Sequence, residues 1–257
     1  GGRAAKGRAI VNLIGCEPDE KVSAFISVKE FNEDHYVVMA TEKGMVKKTK
    51  LSAYSNPRKK GIYAVEIRDG DKLIEARVST GDNDILLGTR NGKSIRFSEE
   101  QIRASGRKTM GVKGITLSSE DDRLVGMLLI KREGTVLVAT EKGFGKRTEI
   151  SQYRAQKRGG KGVLTMKTTD KVGKMVTIKE VVDKDDLMII TNQGVLIRLP
   201  VAQIRSIGRA TQGVKLIKLG EGTLVSSITR IMSEEEEDEN NNTESTDPKE
   251  SVSYTHL

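Results

Sequence analysis

The chain has 257 residues, with 44 Lys and Arg against 36 Asp and Glu, which gives a formal net charge of +8. Residues 233–257 hold nine acidic residues and one Lys, so the first 232 residues carry 43 basic against 27 acidic residues. Apolar runs stay well short of 18 residues and Cys16 is the one cysteine, which argues against a membrane-spanning helix, a disulfide framework and a cysteine-based zinc site. A basic body with an acidic tail indicates a polyanionic partner.

Two kinds of segment recur along the chain, and they define its organisation. The first is a glycine followed by a run rich in Val, Ile and Leu, with lead glycines 50–54 residues apart: Gly7, Gly61, Gly111, Gly162 and Gly213. The second is a Thr-led hairpin pattern whose glycines are 48 or 51 residues apart: Gly44, Gly92, Gly143 and Gly194. A period of about 50 residues is typical of a repeat architecture. Because Gly1 rather than Met opens the chain, we expect a segment of a longer protein.

Each repeat resolves into four strand-length runs. In the third repeat these are residues 112–117, 124–130, 135–140 and 144–148, and Gly143 supplies the positive φ that a tight hairpin needs. Four antiparallel strands per repeat predict an all-β, propeller-like fold of four-stranded blades. We expect each blade to combine one hairpin with the glycine-led half of the next repeat. Residues 98–103 are predicted to form one helical turn.

This pairing predicts about four complete blades, and it leaves residues 3–30 as a partial blade without a hairpin. The predicted domain spans residues 1–232, with repeats near 3–54, 55–104, 105–155, 156–207 and 208–232. An acidic tail at 233–257 is low in apolar residues and is predicted to be disordered. Its role is either solubility or occupation of the basic surface until the polyanionic partner displaces it. Residues 251–257 break the acidic composition and resemble a fusion remnant.

Several patterns look catalytic and fail on chemical grounds. Residues 88–94 resemble a phosphate-binding loop, but a strand rather than a helix follows them. The two histidines, His35 and His256, have no nucleophile partner in the pattern, and we expect both to face solvent. The acidic pairs at 69 and 71 and at 121 and 122 fall where turns favour Asp. No His, Cys or carboxylate spacing indicates a metal site, so we predict neither catalytic residues nor a bound metal.

A basic loop precedes each glycine-led strand, and this is the strongest functional signal from the residues. One such loop would be an ordinary solvated turn, but equivalent positions in a repeat fold share one face, so five loops form an arc. Lys and Arg can neutralise successive phosphates while glycines let backbone N–H groups approach them. With nine Phe and Tyr and no Trp, the chain lacks the aromatic platforms of single-strand binders. The pattern favours sequence-tolerant binding of duplex DNA.

Residues 156–162, Gln-Lys-Arg-Gly-Gly-Lys-Gly, resemble the GyrA box, a motif of the C-terminal domain in the A subunit of DNA gyrase. The likeness covers roughly residues 1–232. It implies a β-pinwheel with strands exchanged between neighbouring blades and duplex DNA wrapped around the outer edge. In that family the box lies in the first blade, whereas here it lies in the fourth repeat. The match is therefore either a weaker wrapping contact, which we favour, or an echo of repeat ancestry.

The basic loops and the resemblance together give a set of predicted DNA-binding residues. They are Gln156, Lys157, Arg158, Gly159, Gly160, Lys161, Gly162, Arg3, Lys6, Arg8, Arg58, Lys59, Lys60, Arg107, Lys108, Lys113 and Arg209. The resemblance implies a domain that is not an enzyme on its own, since the catalytic tyrosine, ATP and Mg²⁺ belong to other parts of a type II topoisomerase. It implies as partners the B subunit and the N-terminal part of the A subunit, in an A2B2 holoenzyme.

Two alternative functions also fit the sequence. One is that of the equivalent domain of topoisomerase IV, where the box is degenerate and wrapping is weak. The other is a propeller-type scaffold for acidic protein partners, in which the basic loops are solvated turns. The expected location is the bacterial cytoplasm, at the nucleoid.

Overall fold

The computed structural model describes residues 22–58 and 61–231, and over these residues the protein is built from strands and short 3₁₀ turns. The strands are β1 Tyr36–Thr41, β2 Met45–Lys50, β3 Leu73–Ser79, β4 Asp84–Thr89, β5 Lys93–Ser98, β6 Val112–Lys113, β7 Leu124–Ile130, β8 Thr135–Thr140, β9 Phe144–Glu149, β10 Val163–Leu164, β11 Met175–Val181, β12 Asp186–Thr191, β13 Leu196–Pro200, β14 Val214–Lys215 and β15 Val225–Ile231. The 3₁₀ turns are Leu51–Tyr54, Glu99–Gln101, Ile150–Gln152 and Val201–Gln203. In this part of the chain no helix is long and apolar enough to span a bilayer.

The four predicted hairpins are present and share one register. They are β1–β2, β4–β5, β8–β9 and β12–β13. Their turn glycines have φ between +77° and +84°, in the left-handed region that glycine adopts without strain. A 3₁₀ turn follows each hairpin, and the one at Glu99–Gln101 confirms the helical turn predicted at 98–103. The repeat period therefore reflects one hairpin, one turn and one connection to the next blade.

Each sheet is completed by strands from further along the chain. The strand orders are β3-β1-β2-β6, β10-β5-β4-β7, β11-β8-β9-β14 and β13-β12-β15. The all-β, propeller-like prediction is confirmed. The predicted pairing was right for the strand after each glycine-led run, since β3 joins the hairpin that precedes it. It was wrong for the glycine-led strand itself: β6 follows the second hairpin and pairs with β2 of the first.

The glycine-led strands are also shorter than predicted. Only two residues of the 112–117 run form ladder pairs, because Gly114 then turns the chain under the hairpin, where its N–H donates to the Gly44 carbonyl at 2.8 Å. Residues 61–67, the first described run of this type, form no strand at all. A strand needs an adjacent edge for its backbone groups. No described hairpin precedes β1 to offer that edge, and Tyr63 is 74% exposed.

The core lies between successive blades. Val38 and Ala40 of the first sheet pack with Ile85 and Leu87 of the second, all fully buried. The opposite face of the second sheet, through Leu86, packs against the third. Alternating side chains of one strand thus enter two different cores, because successive residues of a strand point to opposite faces. Strands β3, β7, β11 and β15 pack against one another at the centre.

Candidate nucleic-acid interface

Three basic loops run along the outer edges of consecutive sheets. Each follows a 3₁₀ turn and lies beside the second hairpin strand of the previous blade, which is β2, β5 or β9. The three docking bonds join equivalent positions. Ser105 N–H donates to the Lys48 carbonyl at 2.9 Å, Gln156 N–H to Arg96 at 2.8 Å and Ile207 N–H to Arg147 at 2.9 Å. With β6, β10 and β14 they form what we call the outer rim: loops 104–111, 155–162 and 206–213.

Residues 156–162, the box loop, are held firmly against the neighbouring blade. Gly159 N–H donates to the Gly114 carbonyl at 2.8 Å, and the Thr116 hydroxyl donates to the Gly159 carbonyl at 2.7 Å. Thr116 N–H donates to the Gly160 carbonyl at 2.9 Å. Gln101 accepts from Arg158 N–H through its side-chain oxygen at 2.8 Å. Because both glycine carbonyls are occupied on the inner side, the loop has a defined conformation before any ligand arrives.

Two glycines of the box loop cannot be replaced without strain. Gly159 has φ +82° and Gly162 has φ +69°. A Cβ on Gly162 would lie 2.3 Å from the Ser94 carbonyl oxygen, far inside van der Waals contact. These positions explain the glycines of the motif by close backbone approach and left-handed conformation. Gly160 has neither property, since a Cβ there would lie 3.4 Å or more from its nearest neighbours.

The cations of the box loop have different roles. Arg158 is partly buried and directed inward, where Nη1 donates to the Lys113 carbonyl at 2.5 Å and Nε to the Gln101 carbonyl at 3.2 Å. Lys157 and Lys161 are exposed, and neither ammonium has a hydrogen-bond or ion-pair partner within residues 22–58 and 61–231. Arg158 therefore positions the loop, whereas the two lysines are free to meet phosphates.

The loop at 206–213 repeats this arrangement with fewer free cations. Arg209 Nη1 donates to the Leu164 carbonyl at 2.9 Å, and Arg209 N–H donates to the Gln152 side chain at 3.3 Å. These contacts match those of Arg158 with Lys113 and Gln101. Gly208 and Gln212 occupy the positions of Lys157 and Lys161. The same fixed backbone thus presents less charge.

Buried lysines support the two loops that lack the Gly-Gly pair. Lys146 is fully buried, and its ammonium donates to the carbonyls of Gly208, at 2.7 Å, and Arg209, and to the Thr211 hydroxyl at 3.0 Å. Lys47 takes the equivalent place under loop 104–111 and donates to the Arg107 carbonyl at 2.5 Å. Under the box loop the corresponding residue is Ile95. The bond from Thr116 N–H to the Gly160 carbonyl recurs in both loops, as Lys167 N–H to Thr211 at 3.0 Å and Glu66 N–H to Thr109 at 3.1 Å. Lysine therefore replaces only the contacts that Gly159 makes with Gly114 and the Thr116 hydroxyl.

Burial affects the protonation of these lysines. Burial, with a smaller contribution from Arg209, lowers the pKa of Lys146 to about 8. Burial and the charge of Arg107 lower the pKa of Lys47 to about 8. The pattern of the sequence did not identify either lysine as part of the site. The signal that could have found them is a lysine in the middle of a hairpin strand, where a core side chain is expected.

The remaining predicted residues are distributed as follows. Lys113 is exposed on β6, and Arg58 is exposed after the first 3₁₀ turn. Lys108 is exposed within loop 104–111, with its ammonium 5.5 Å from the Tyr63 ring centroid. Arg107 is partly buried. Arg3, Lys6, Arg8, Lys59 and Lys60 lie outside the described residues, as does the acidic tail. The structure therefore places three of the five predicted loops.

Three exposed arginines on the same edge were not among the predicted residues. Arg103, Arg154 and Arg205 stand at the same position of three repeats, one residue before the bridge that docks each loop. Their recurrence about every 51 residues was a readable signal. Including them raises the positive charge of each described loop by one.

The acidic pairs are turn residues, as predicted. Asp122 accepts backbone N–H bonds from Asn91 at 2.9 Å and from Arg123 at 3.0 Å. Asp71 accepts from the N–H groups of Lys43 and Lys72. Gly88 lies within β4 and Gly92 in the turn before β5, so this segment is a hairpin and not a nucleotide site. Over the described ranges, no group of three or more His, Cys, Asp or Glu side chains could hold a metal ion.

Comparison with known proteins identifies the family of the chain. Residues 35–80, 83–131, 134–181 and 185–231 each match the family described as DNA gyrase C-terminal domain, beta-propeller. The chain is 45% identical over 236 residues to the A subunit of DNA gyrase from Staphylococcus epidermidis, covering 91% of this chain and 26% of that protein. It is 44% identical over 235 residues to the Staphylococcus aureus protein, covering 90% of this chain and 26% of that one. The chain thus spans about a quarter of these relatives.

Solved structures share the fold. The C-terminal domain of DNA topoisomerase IV superposes with a TM-score of 0.85 at 25% identity, covering 93% of this chain and 76% of that one. The DNA gyrase A C-terminal domain superposes with a TM-score of 0.79 at 23% identity, covering 89% and 76%. The structural likeness alone does not separate the two enzymes, but the sequence matches do. The chain belongs to the DNA gyrase C-terminal domain family, the β-propeller domain found in the A subunit of gyrase.

Proposed function

We propose that this domain binds duplex DNA along its outer rim and wraps it, in support of ATP-dependent negative supercoiling by gyrase. The observation that carries the proposal is the box loop, in which inward contacts fix the backbone while Lys157 and Lys161 stay exposed and unpaired among the described residues. Equivalent loops on two neighbouring sheets extend the basic surface in one direction. Lysines that neutralise phosphates carry no sequence information, so the binding proposed here is sequence-tolerant.

The energetics of wrapping favour several weak sites over one strong site. Bending 20–30 base pairs smoothly by 40–90° costs on the order of 1–6 kcal/mol. A single loop with two free lysines cannot offset that strain. Repeated phosphate contacts on successive blades can, and they make the affinity fall steeply as salt rises, because each contact releases condensed counterions.

The domain acts, in this proposal, as a non-catalytic part of a larger assembly. The catalytic tyrosine, the ATP site and Mg²⁺ lie elsewhere in the holoenzyme, which pairs A subunits with B subunits in the bacterial cytoplasm. The topoisomerase IV alternative is not favoured, since the curated relatives at 44–45% identity are gyrase A subunits. Negative supercoiling by a holoenzyme carrying this domain, and not relaxation alone, is the result expected for gyrase.

A binding experiment tests the rim directly. Fluorescence anisotropy of a labelled mixed-sequence duplex, measured across a salt series, gives the affinity and its salt slope. The double variant Lys157→Ala and Lys161→Ala is expected to weaken binding and to reduce the slope by about 0.9 for each phosphate that is no longer neutralised. Lys171→Ala, which removes an exposed lysine between β10 and β11, is the matched control and should leave both values unchanged.

A topological assay tests wrapping separately from binding. Relaxed plasmid is bound to the domain, treated with a nicking-closing enzyme and deproteinised, and the change in linking number is measured. Wrapping of one hand gives a shift that grows with protein concentration. Binding without a shift would contradict wrapping, and equal binding of duplex DNA and an acidic protein would favour a scaffold for acidic partners.

A further inference from the structure

The innermost strands enclose a central cavity that the rim does not use. It has a volume of about 290 Å³ and is lined by residues of β3, β7, β11 and β15 together with Lys131. Its charged lining residues are Arg77, Lys131, Lys179, Glu180 and Arg230. The rim loops lie at the opposite edge of each sheet, on β6, β10 and β14. The cavity is therefore a separate feature of the fold.

The cations stand where the repeat otherwise places an apolar or small polar residue. Arg77, Leu128, Lys179 and Thr229 occupy one position of the four innermost strands, because each pairs with the third residue of its hairpin. Leucine in the second blade shows that the fold does not require charge there. Two long cations at this level of the first and third blades thus concentrate positive charge at the centre.

Acidic residues compensate this charge only in part. Glu75 pairs with Arg77 at 2.9 Å between Oε1 and Nη2. Glu180 accepts the backbone N–H groups of Lys131 at 3.1 Å and Arg132 at 3.0 Å through one carboxylate oxygen. Four cations thus face two carboxylates, one of which is engaged by the neighbouring loop. Glu75 lies outside the lining, and the neighbouring Arg132 and Asp185 pair with each other at 2.9 Å. The lining together with Glu75 keeps an excess of two positive charges.

Three of these cations lack anionic hydrogen-bond acceptors among the described residues. Arg230 Nη1 donates to the Glu180 carbonyl at 3.1 Å, and Lys131 Nζ donates to the Val78 carbonyl at 3.2 Å. Lys179 donates no side-chain hydrogen bond there, and burial lowers the pKa of its ammonium. In addition, Arg77 Nε is buried without an acceptor. A buried cation without an acceptor is costly, which favours a bound anion.

We propose that this cavity binds a phosphate dianion. Two guanidinium groups and two ammonium groups reach it from several strands, which suits four tetrahedral oxygens better than the two oxygens of a carboxylate. The charge of the dianion matches the excess of the lining taken together with Glu75, and the remaining volume accommodates water. Bound phosphate links β3, β11 and β15 and stabilises the packing of their blades.

The test uses the whole 257-residue chain and inorganic phosphate. ³¹P NMR titration is expected to show binding by the wild type, with at least a tenfold weaker affinity in Lys179→Met and retention in Lys179→Arg. The thermal midpoint of the wild type should rise with phosphate relative to chloride at equal ionic strength. Lys179→Met should unfold no earlier than wild type in chloride, because a buried cation is removed, and should lose the rise.

A rim control makes the outcome decisive. The Lys157→Ala and Lys161→Ala variant should bind phosphate as the wild type does, and Lys179→Met should bind duplex DNA as the wild type does. Phosphate binding that is lost in the rim variant and kept in Lys179→Met would overturn the proposal. Absence of phosphate binding by the wild type would also overturn it. Neither result bears on the proposed DNA binding, which the anisotropy and linking-number experiments test separately.

Discussion

The second and fourth hairpins show how one local pattern gives two different environments. Both have six-residue first strands, the same register and an inner strand, β7 or β15. The strand that follows hairpin β4–β5, β6, pairs in the first sheet, and β10 pairs with β5. The strand that follows hairpin β12–β13, β14, pairs in the third sheet, and no described strand pairs with the outer edge of β13. Ser94 is fully buried and the equivalent Leu196 is 57% exposed. A blade is thus completed by the chain beyond it.

The loops that follow this exchange differ in the same way. The box loop lies over Ile95 and rests on glycine carbonyl contacts, whereas the loop at 206–213 lies over Lys146. Two chemical solutions hold the same backbone path. Four predictions test this comparison, in decreasing order of the change in free energy.

The turn glycines of the two hairpins should differ most in their tolerance of alanine. A Cβ at Gly92 would lie 2.1 Å from the Met166 carbonyl, in the chain that joins β10 to β11, whereas Gly194 has open space. Both have positive φ, which costs alanine about 1–2 kcal/mol. We expect Gly194→Ala to lower the free energy of unfolding by about 1–2 kcal/mol and Gly92→Ala to lower it by about 3 kcal/mol or more. Urea unfolding measures both, and equal losses would show that the exchanged chain does not constrain the turn.

Lysine at the outer edge should harm one hairpin and not the other. Ser94→Lys replaces a buried hydroxyl that contacts the Thr165 hydroxyl and introduces an unpaired charge, at a cost of about 2–4 kcal/mol in unfolding free energy. Leu196→Lys lies on an edge that no described strand covers and should change stability by less than about 0.5 kcal/mol. It should also reduce self-association, since edge charges prevent strand pairing. Light scattering across protein concentration measures this, and increased association of Leu196→Lys would refute the assignment of an open edge.

Replacement of the buried lysine should destabilise the loop at 206–213 with a defined pH dependence. Lys146→Met removes the donor to the Arg209 carbonyl and one of the two donors to the Gly208 carbonyl, and it should cost about 1–3 kcal/mol. The pKa of Lys146 is about 8 in the folded protein, below its ordinary value of 10.5. The folded state therefore binds fewer protons than the unfolded state between these values, and the contribution of Lys146 to stability rises with pH.

The free energy of unfolding lost in Lys146→Met should therefore depend on pH. It should be larger about one and a half units above the folded pKa than just below that pKa, as measured by urea unfolding of both proteins. Ile95→Val is the matched control under the box loop, with a loss that does not change over this range. A loss in Lys146→Met that shrinks as pH rises would contradict the burial of a cation.

A modest gain of affinity tests whether the two loops differ only in free charge. Gln212→Lys places a cation at the position of Lys161 on an already fixed loop. The affinity for duplex DNA at low salt should rise a few-fold, the salt slope should steepen by at most about 0.9, and stability should stay the same. An unchanged affinity would mean that loop 206–213 lies off the DNA path.

Much of the fold was predictable because the relevant signals are local. Turn glycines such as Gly143 specify a hairpin through backbone conformation, and alternating side chains specify which strand faces enter the cores. The absence of a strand at residues 61–67 was not predictable in this way, since their sequence pattern matches that of residues 111–117, which contain β6. The difference is the absence of an adjacent hairpin among the described residues, which no local pattern contains.

The candidate site was likewise predictable only in part. The residues of the box loop were identified from the sequence, but their roles were not, because Arg158 and Lys161 are both simply basic in a sequence. Only the positions of Gln101 and the Lys113 carbonyl distinguish a positioning arginine from a free lysine. Lys146 was missed because its partners are carbonyls about 60 residues further along the chain.

Spacing and residue type within a few positions were enough to establish the repeat, the four hairpins, the basic loops and the family. Tertiary packing sets which sheet receives each glycine-led strand, which cations are free, and that Arg77 and Lys179 meet in a central cavity. Those outcomes depend on hydrogen bonds and burial between residues far apart in the chain, where a two-residue strand becomes stable only once the neighbouring edge is in place.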